Sequence, residues 1–424
     1  MYRLVVSLCL IALSWSSVDR TWVCFVYHKS GTELCDKTMF ALAERCSLKL
    51  FEPKASEVID EAFNRFSSPS NDYHLIRTGL NTTGFLNYRW LRSFASAGDR
   101  YRSILFLRDP FELIMSAYKY HSEEVPVEEW LTTSNALIGF SLDHLLPMAR
   151  ERYEPILRCA GYSVKEFIDT VRRIHDECHK ALDIFGGKYS FHHMLAVSRH
   201  FSSLPVHHSN FSHLNSAALA SYLSRLPKVN HNISMYGNDL YPSIRLQMCQ
   251  SVYQLESMAI SKLFEDPAYS LTVHLEDFGM GNLTQFRKAA RNMAKFVLGK
   301  NANWGKCSNA SYFVDIMEEN VFIESKHLTS KSNHLAHRRS LAAARVHRKP
   351  DLLHITTYLM PHATQEMYKQ RIRLDPVFGD YLTRLASIIN QPTDRDHGLL
   401  IDNCPALTEQ VDWIDLQKKV NIPL

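Results

Sequence analysis

"FVYHKSGTELCDKT", at Phe25–Thr38, reads as the end of an apolar strand, a short polar turn and the start of a helix. A strand-to-helix turn needs a glycine, and Gly31 supplies it. It does not need Lys29 and the hydroxyls of Ser30 and Thr32 beside that glycine. A phosphate does: backbone N–H groups at a helix N-terminus, with a lysine and short hydroxyls, form an anion cradle. In the nucleotide-binding loop G-x-x-x-x-G-K-[ST] the lysine follows the last glycine. Here Lys29 precedes Gly31 and the loop is shorter, which argues against an ATPase or kinase.

Working outward, Trp22–Tyr27 is a continuous apolar run suited to a strand buried on both faces. A helical stripe follows at Leu34, Met39, Leu42 and Cys46. Tyr73–Thr78 and Ser103–Leu107 read as further strands, the second ending in "LRDP", where Pro110 suits the first turn of a helix through "FELIMSAYKYH". Alternating strands and helices predict an α/β fold, a parallel sheet flanked by helices. Ligands of such sheets bind at the carboxyl ends of the strands, where Lys29 and Arg108 both fall.

From Pro126 to about Pro227 strand-like alternation is missing, and "VKEFIDTVRRIHDECHKALDIF" is helical in pattern. We read this stretch as a large helical insertion serving acceptor recognition. Ile244–Leu263 and Leu283–Leu298 are predicted helices, Leu271–Leu275 a strand, and Thr364–Ile389 one or two packing helices. Between Lys326 and Lys349 the chain is rich in Lys, Arg and His and has no acid. That run is either a solvated face or a basic segment that closes over an anion. The expected organisation is 1–17 as a signal peptide or short anchor, 18–300 as the α/β domain with its insertion at about 126–227, and 301–424 as a basic and helical C-terminal region.

The 424 residues are 46% hydrophobic and 22% charged, ordinary for a globular chain, so disorder throughout is excluded. Lys plus Arg (48) exceed Asp plus Glu (44) by four, too few to argue for a nucleic-acid partner. Arg3, the apolar Leu4–Leu13 and the small residues Ser14, Ser16 and Ser17 have the layout of a secretory signal. The run is short against the roughly 20 residues of a membrane span. Membrane association is therefore expected only if it remains as an uncleaved anchor. Removing Cys9 leaves Cys24, Cys35, Cys46, Cys159, Cys178, Cys249, Cys307 and Cys404, dispersed and without a CxxC pair, which suits disulfides better than zinc. Sequons begin at Asn81, Asn210, Asn232, Asn282 and Asn309.

The Lys-Ser-Gly-Thr order, with "RDPFELIMS" downstream and "VHLEDF" at Val273–Phe278, resembles the sulfotransferases that use 3′-phosphoadenosine 5′-phosphosulfate. Their luminal carbohydrate-sulfating members are closest in layout. The resemblance covers Trp22 to about Leu298 and implies a P-loop-like sulfotransferase fold. It implies that Lys29, Ser30, Gly31, Thr32 and the Glu33 amide hold the 5′-phosphosulfate, and that Arg108 and Ser116 hold the 3′-phosphate. The chain departs from the cytosolic members at Leu34 and Leu275, where they carry the aromatics Trp and Tyr, and at Gly79, where they carry the catalytic His.

Sulfuryl transfer needs alignment and charge neutralisation. Lys29 would stabilise charge on the departing oxygen, and the acceptor hydroxyl needs a base. Glu52 in "KLFEPK" and His74 are the candidates, with the insertion as a third source. No metal is implied. The expected acceptor is a glycan or glycoconjugate hydroxyl, and the expected location the secretory pathway: Golgi lumen or membrane, or secreted. A protein-tyrosine acceptor and a secreted, non-catalytic binding protein on the same fold are the alternatives.

Overall fold

The computed structural model describes residues 21–27, 30–51, 73–78, 101–122, 163–185, 240–263, 268–279, 281–299, 302–323 and 362–390. Lys29, Glu52, Gly79, the N-terminal 1–20, the basic 326–349 run and all of the insertion except Ser163–Phe185 lie outside them.

Five parallel strands form the sheet: β1 (Thr21–Val26), β2 (Leu50–Phe51), β3 (Leu75–Thr78), β4 (Tyr101–Leu107) and β5 (Ser270–His274), in the order β2-β3-β1-β4-β5. The chain is thus of the α/β class, as its alternation predicts. Helices α1 (Thr32–Cys46) and α2 (Pro110–Ser122) follow β1 and β4. Then come α3 (Val164–Phe185), α4 (Tyr241–Leu263), α5 (Leu283–Leu298), α6 (Ala310–Met317, continued by a wider turn over Glu318–Ile323), α7 (His362–Arg373) and α8 (Gly379–Ile389). Among the described residues, no helix is long and apolar enough to cross a membrane.

Period-two alternation along β1 explains why both faces are covered. Trp22, Cys24 and Val26 join a core with α1, α5 and α6; Val23, Phe25 and Tyr27 join a core with α2, α3, α4, α7 and α8. Each such fully buried large side chain contributes roughly 1.5–3 kcal/mol. Right-handed crossovers account for the split. From β1 the chain runs toward β2 on one side, from β4 toward β5 on the other, so α1 and α2 cover opposite faces. The C-terminal helices belong to this body: Tyr368, Ile372, Tyr381, Leu382 and Ile389 are buried in the α2–α4 core.

Disulfides tie the layers together. Cys24–Cys35 joins β1 to α1, Cys46–Cys307 joins the end of α1 to the turn before α6, and Cys178–Cys249 joins α3 to α4. Behind α4, Arg245 Nε donates to Asp375 Oδ2 at 3.0 Å, and Tyr241 Oη donates to the same oxygen at 2.9 Å. Asp375 Oδ1 accepts from the Val377 and Phe378 N–H groups, capping the approach to α8. Two of the sequon asparagines also have a structural use. Asn282 and Asn309 are the N-caps of α5 and α6, their side-chain oxygens accepting from the first-turn N–H groups.

Candidate functional site

Val26 of β1 pairs with Phe106 of β4, so the loops leaving these strands start side by side. The chain departs from them in opposite directions, toward β2 and toward β5. Such a switch point opens a crevice at the carboxyl edge of an α/β sheet, where ligands bind. Both motif loops flank it.

On the β1 side, Ser30 N–H donates to the Tyr27 carbonyl at 3.0 Å. Ser30 Oγ accepts from Tyr27 N–H at 2.8 Å and donates to the Tyr27 carbonyl at 2.9 Å, and Thr32 Oγ1 donates to that carbonyl at 3.1 Å. A hydroxyl has one proton to give. Both protons hold the turn in this conformation. Short hydroxyl side chains favour such bonds to nearby backbone. What remains for an anion is the start of α1: Gly31 caps it with no side-chain hydrogen bond, and a helix leaves its first-turn N–H groups without intrahelical acceptors. Gly31 has φ 135° and lies against Phe106 of β4. Glu33 stands half-buried in that first turn. Leu34 is fully buried in the α1 core and presents no face to an adenine.

On the β4 side, Asp109 Oδ1 accepts from the Phe111 and Glu112 N–H groups, and Pro110 opens α2 behind it. Asn390, at the end of α8, donates to Asp109 Oδ2 at 2.9 Å. Arg108 Nε donates to Glu276 Oε1 at 3.1 Å. Glu276 belongs to the short 3-10 turn Leu275–Phe278 that ends β5. Partial burial pushes its carboxyl above the usual carboxylate range, Arg108 pulls it back, and Glu112 adds to the rise. Ser116 is half-buried on α2, about 10 Å along the helix axis from Asp109. Lys369 of α7, itself buried, pairs with Glu112 and with Glu366.

His74, the second candidate base, immediately precedes β3. Its Nδ1 accepts from Lys49 N–H at 3.2 Å, its own N–H donates to the Lys49 carbonyl, and its carbonyl accepts from Trp22 N–H. These bonds stitch β2, β3 and β1 together at the amino edge of the sheet. Trp22 pairs with Leu75, so about six residues, or roughly 20 Å of strand, separate His74 from the Tyr27 end. Glu52 follows Phe51, the last residue of β2, and with Lys29 lies outside the described residues.

The carboxyl edge of the sheet therefore carries Ser30–Glu33 after β1, Arg108 after β4 and Glu276 after β5. Neither Glu276, within "VHLEDF", nor Lys369 is marked by a local sequence pattern that shows its partner. Among the described residues, no group of His, Cys, Asp and Glu is arranged to hold a metal. Comparison with protein-family models, curated proteins and solved structures finds no match to this chain.

Proposed function

We propose that this chain is a sulfotransferase that moves a sulfuryl group from 3′-phosphoadenosine 5′-phosphosulfate to a carbohydrate hydroxyl in the secretory pathway. One observation carries the reading: Ser30–Thr32 and Arg108–Pro110 follow adjacent parallel strands at the switch point of the sheet. Two anion-binding loops spaced in this way suit a nucleotide with phosphates at both ends. The α1 N-terminus and Lys29 take the 5′-phosphosulfate, and Arg108 takes the 3′-phosphate.

In the reaction the acceptor oxygen attacks sulfur, and the bond from sulfur to the bridging oxygen breaks. Its electron pair stays on adenosine 3′,5′-bisphosphate, where Lys29 neutralises the developing charge. The acceptor proton passes to a base, which we assign to Glu52. Neither Leu34 nor Leu275 offers an aromatic platform, so the adenine is held by other groups than in the cytosolic enzymes.

A second reading is a binding protein that kept the fold without catalysis. The Arg108–Glu276 pair favours it, because this arginine is satisfied by the protein's own carboxylate. Transfer of radiolabelled sulfate to a panel of desulfated glycans decides between them. The sulfotransferase reading expects incorporation by the wild type and none by Lys29→Ala; donor binding with no incorporation on any glycan or tyrosine peptide selects the second reading.

A further inference from the structure

β5 lies beside β4 from Ser103–Ser270 to Leu107–His274, so Arg108 and the turn carrying Glu276 leave neighbouring strands at one edge. The backbone of that turn is fixed. Asp277 Oδ2 accepts from His274 N–H, the Gly279 N–H closes back on the Glu276 carbonyl, and Gln285 Nε2 of α5 donates to the same carbonyl at 3.2 Å. Of the two paired side chains, Arg108 is 18% exposed and Glu276 39%. The carboxylate is therefore the partner with room to rotate away. A carboxylate and a phosphate oxygen compete for the same guanidinium, and a dianionic phosphate is the stronger acceptor.

We propose that Glu276 is a built-in anion that holds Arg108 until the terminal phosphate of the donor nucleotide displaces it, so that Glu276 sets the affinity and selectivity of the Arg108 subsite. This rests on reading Arg108 as a phosphate ligand. Two consequences follow from the geometry. Ligands without a phosphate at that end do not disturb the pair and gain nothing from its removal. Acidification releases Arg108, because a protonated carboxyl no longer competes. Partial burial already disfavours the ionised form of Glu276. The charges facing it are Arg108 from the end of β4 and Glu112 from α2, the latter held by Lys369 of α7. Asp277 on the same turn is engaged by the His274 N–H, and α5 contributes the neutral Gln285.

The test is calorimetric titration of the whole chain and its Glu276→Gln variant with adenosine 3′,5′-bisphosphate and with adenosine 5′-monophosphate. Glu276→Gln is expected to bind the bisphosphate about tenfold more tightly at neutral pH, the scale of one charge-assisted contact. Its affinity for the monophosphate should not change. Moving to mildly acidic buffer should narrow the gap between wild type and variant for the bisphosphate. Glu276→Ala serves as a second variant with the same expectation. Equal or weaker bisphosphate binding by both variants, with the wild type still binding, overturns the proposal and makes Glu276 a residue that orients Arg108. If no protein binds the bisphosphate, the phosphate reading of Arg108 itself falls, and the proposal with it.

Discussion

Gly31 and Phe106 touch across the two strand ends: a Cβ built on Gly31 would lie 3.0 Å from Phe106 Cδ1. The glycine thus does two things at once. Its φ of 135° lets the chain turn from β1 into α1, and its missing side chain lets that turn sit directly on β4. The spacing between the turns after β1 and β4 depends on this contact.

Gly31→Ala should therefore damage the site out of proportion to its size. A strained backbone costs about 1–3 kcal/mol, and the methyl group must also push Phe106 aside. Thermal unfolding and bisphosphate titration check this, with Gly281→Ala as the control, since a methyl there meets nothing within 4 Å. Equal behaviour of the two variants would mean that the turn does not rest on β4 as described.

Asp375→Ala should destabilise the fold without touching the crevice. The side chain is fully buried, and it holds Arg245, Tyr241 and the approach to α8. Removing one partner of such a pair leaves the other charge uncompensated, at a cost of about 3–5 kcal/mol. Urea unfolding measures it; a loss under about 1 kcal/mol, the scale of a surface pair, would show that Arg245 finds another partner.

Docking of α3 on α4 should weaken in acid. Burial alone would raise the Glu177 carboxyl, but hydrogen bonds and charges from Lys180 and Arg245 outweigh it and hold it below the usual range. A carboxyl depressed in the folded state contributes stability above its unfolded pKa and loses it as pH falls through the folded value. The difference in urea midpoint between wild type and Glu177→Gln should shrink as the pH falls through the carboxylate range. A difference that stays constant would remove Glu177 from the acid response.

Much of the sheet was legible because its signals are local. The apolar run before Gly31 and the Asp109–Pro110 start of α2 each lie within a few residues of the element they specify. β2 was not, because two residues, Leu50 and Phe51, carry no period. His74 lies at the amino edge of the sheet, which its place in the sequence does not show. Local pattern marks a strand's neighbourhood, while its register against β1 decides which edge a flanking side chain reaches. The roles of Glu276 and Lys369 depend on contacts with residues 168 and 257 positions away, which no local pattern encodes. The bonds of the Ser30 and Thr32 hydroxyls to the Tyr27 carbonyl were not legible, because composition does not show which acceptor a hydroxyl meets.

The central claim is that the two loops form one site for a nucleotide phosphorylated at both ends. Calorimetric titration of the whole chain with adenosine 3′,5′-bisphosphate and with ATP tests it most directly, repeated on Arg108→Ala. The account predicts binding of the bisphosphate in preference to ATP, and a loss of at least about tenfold in Arg108→Ala, or roughly 1.5–3 kcal/mol for a charge-assisted contact. Preference for ATP, or bisphosphate binding unchanged in Arg108→Ala, would contradict it.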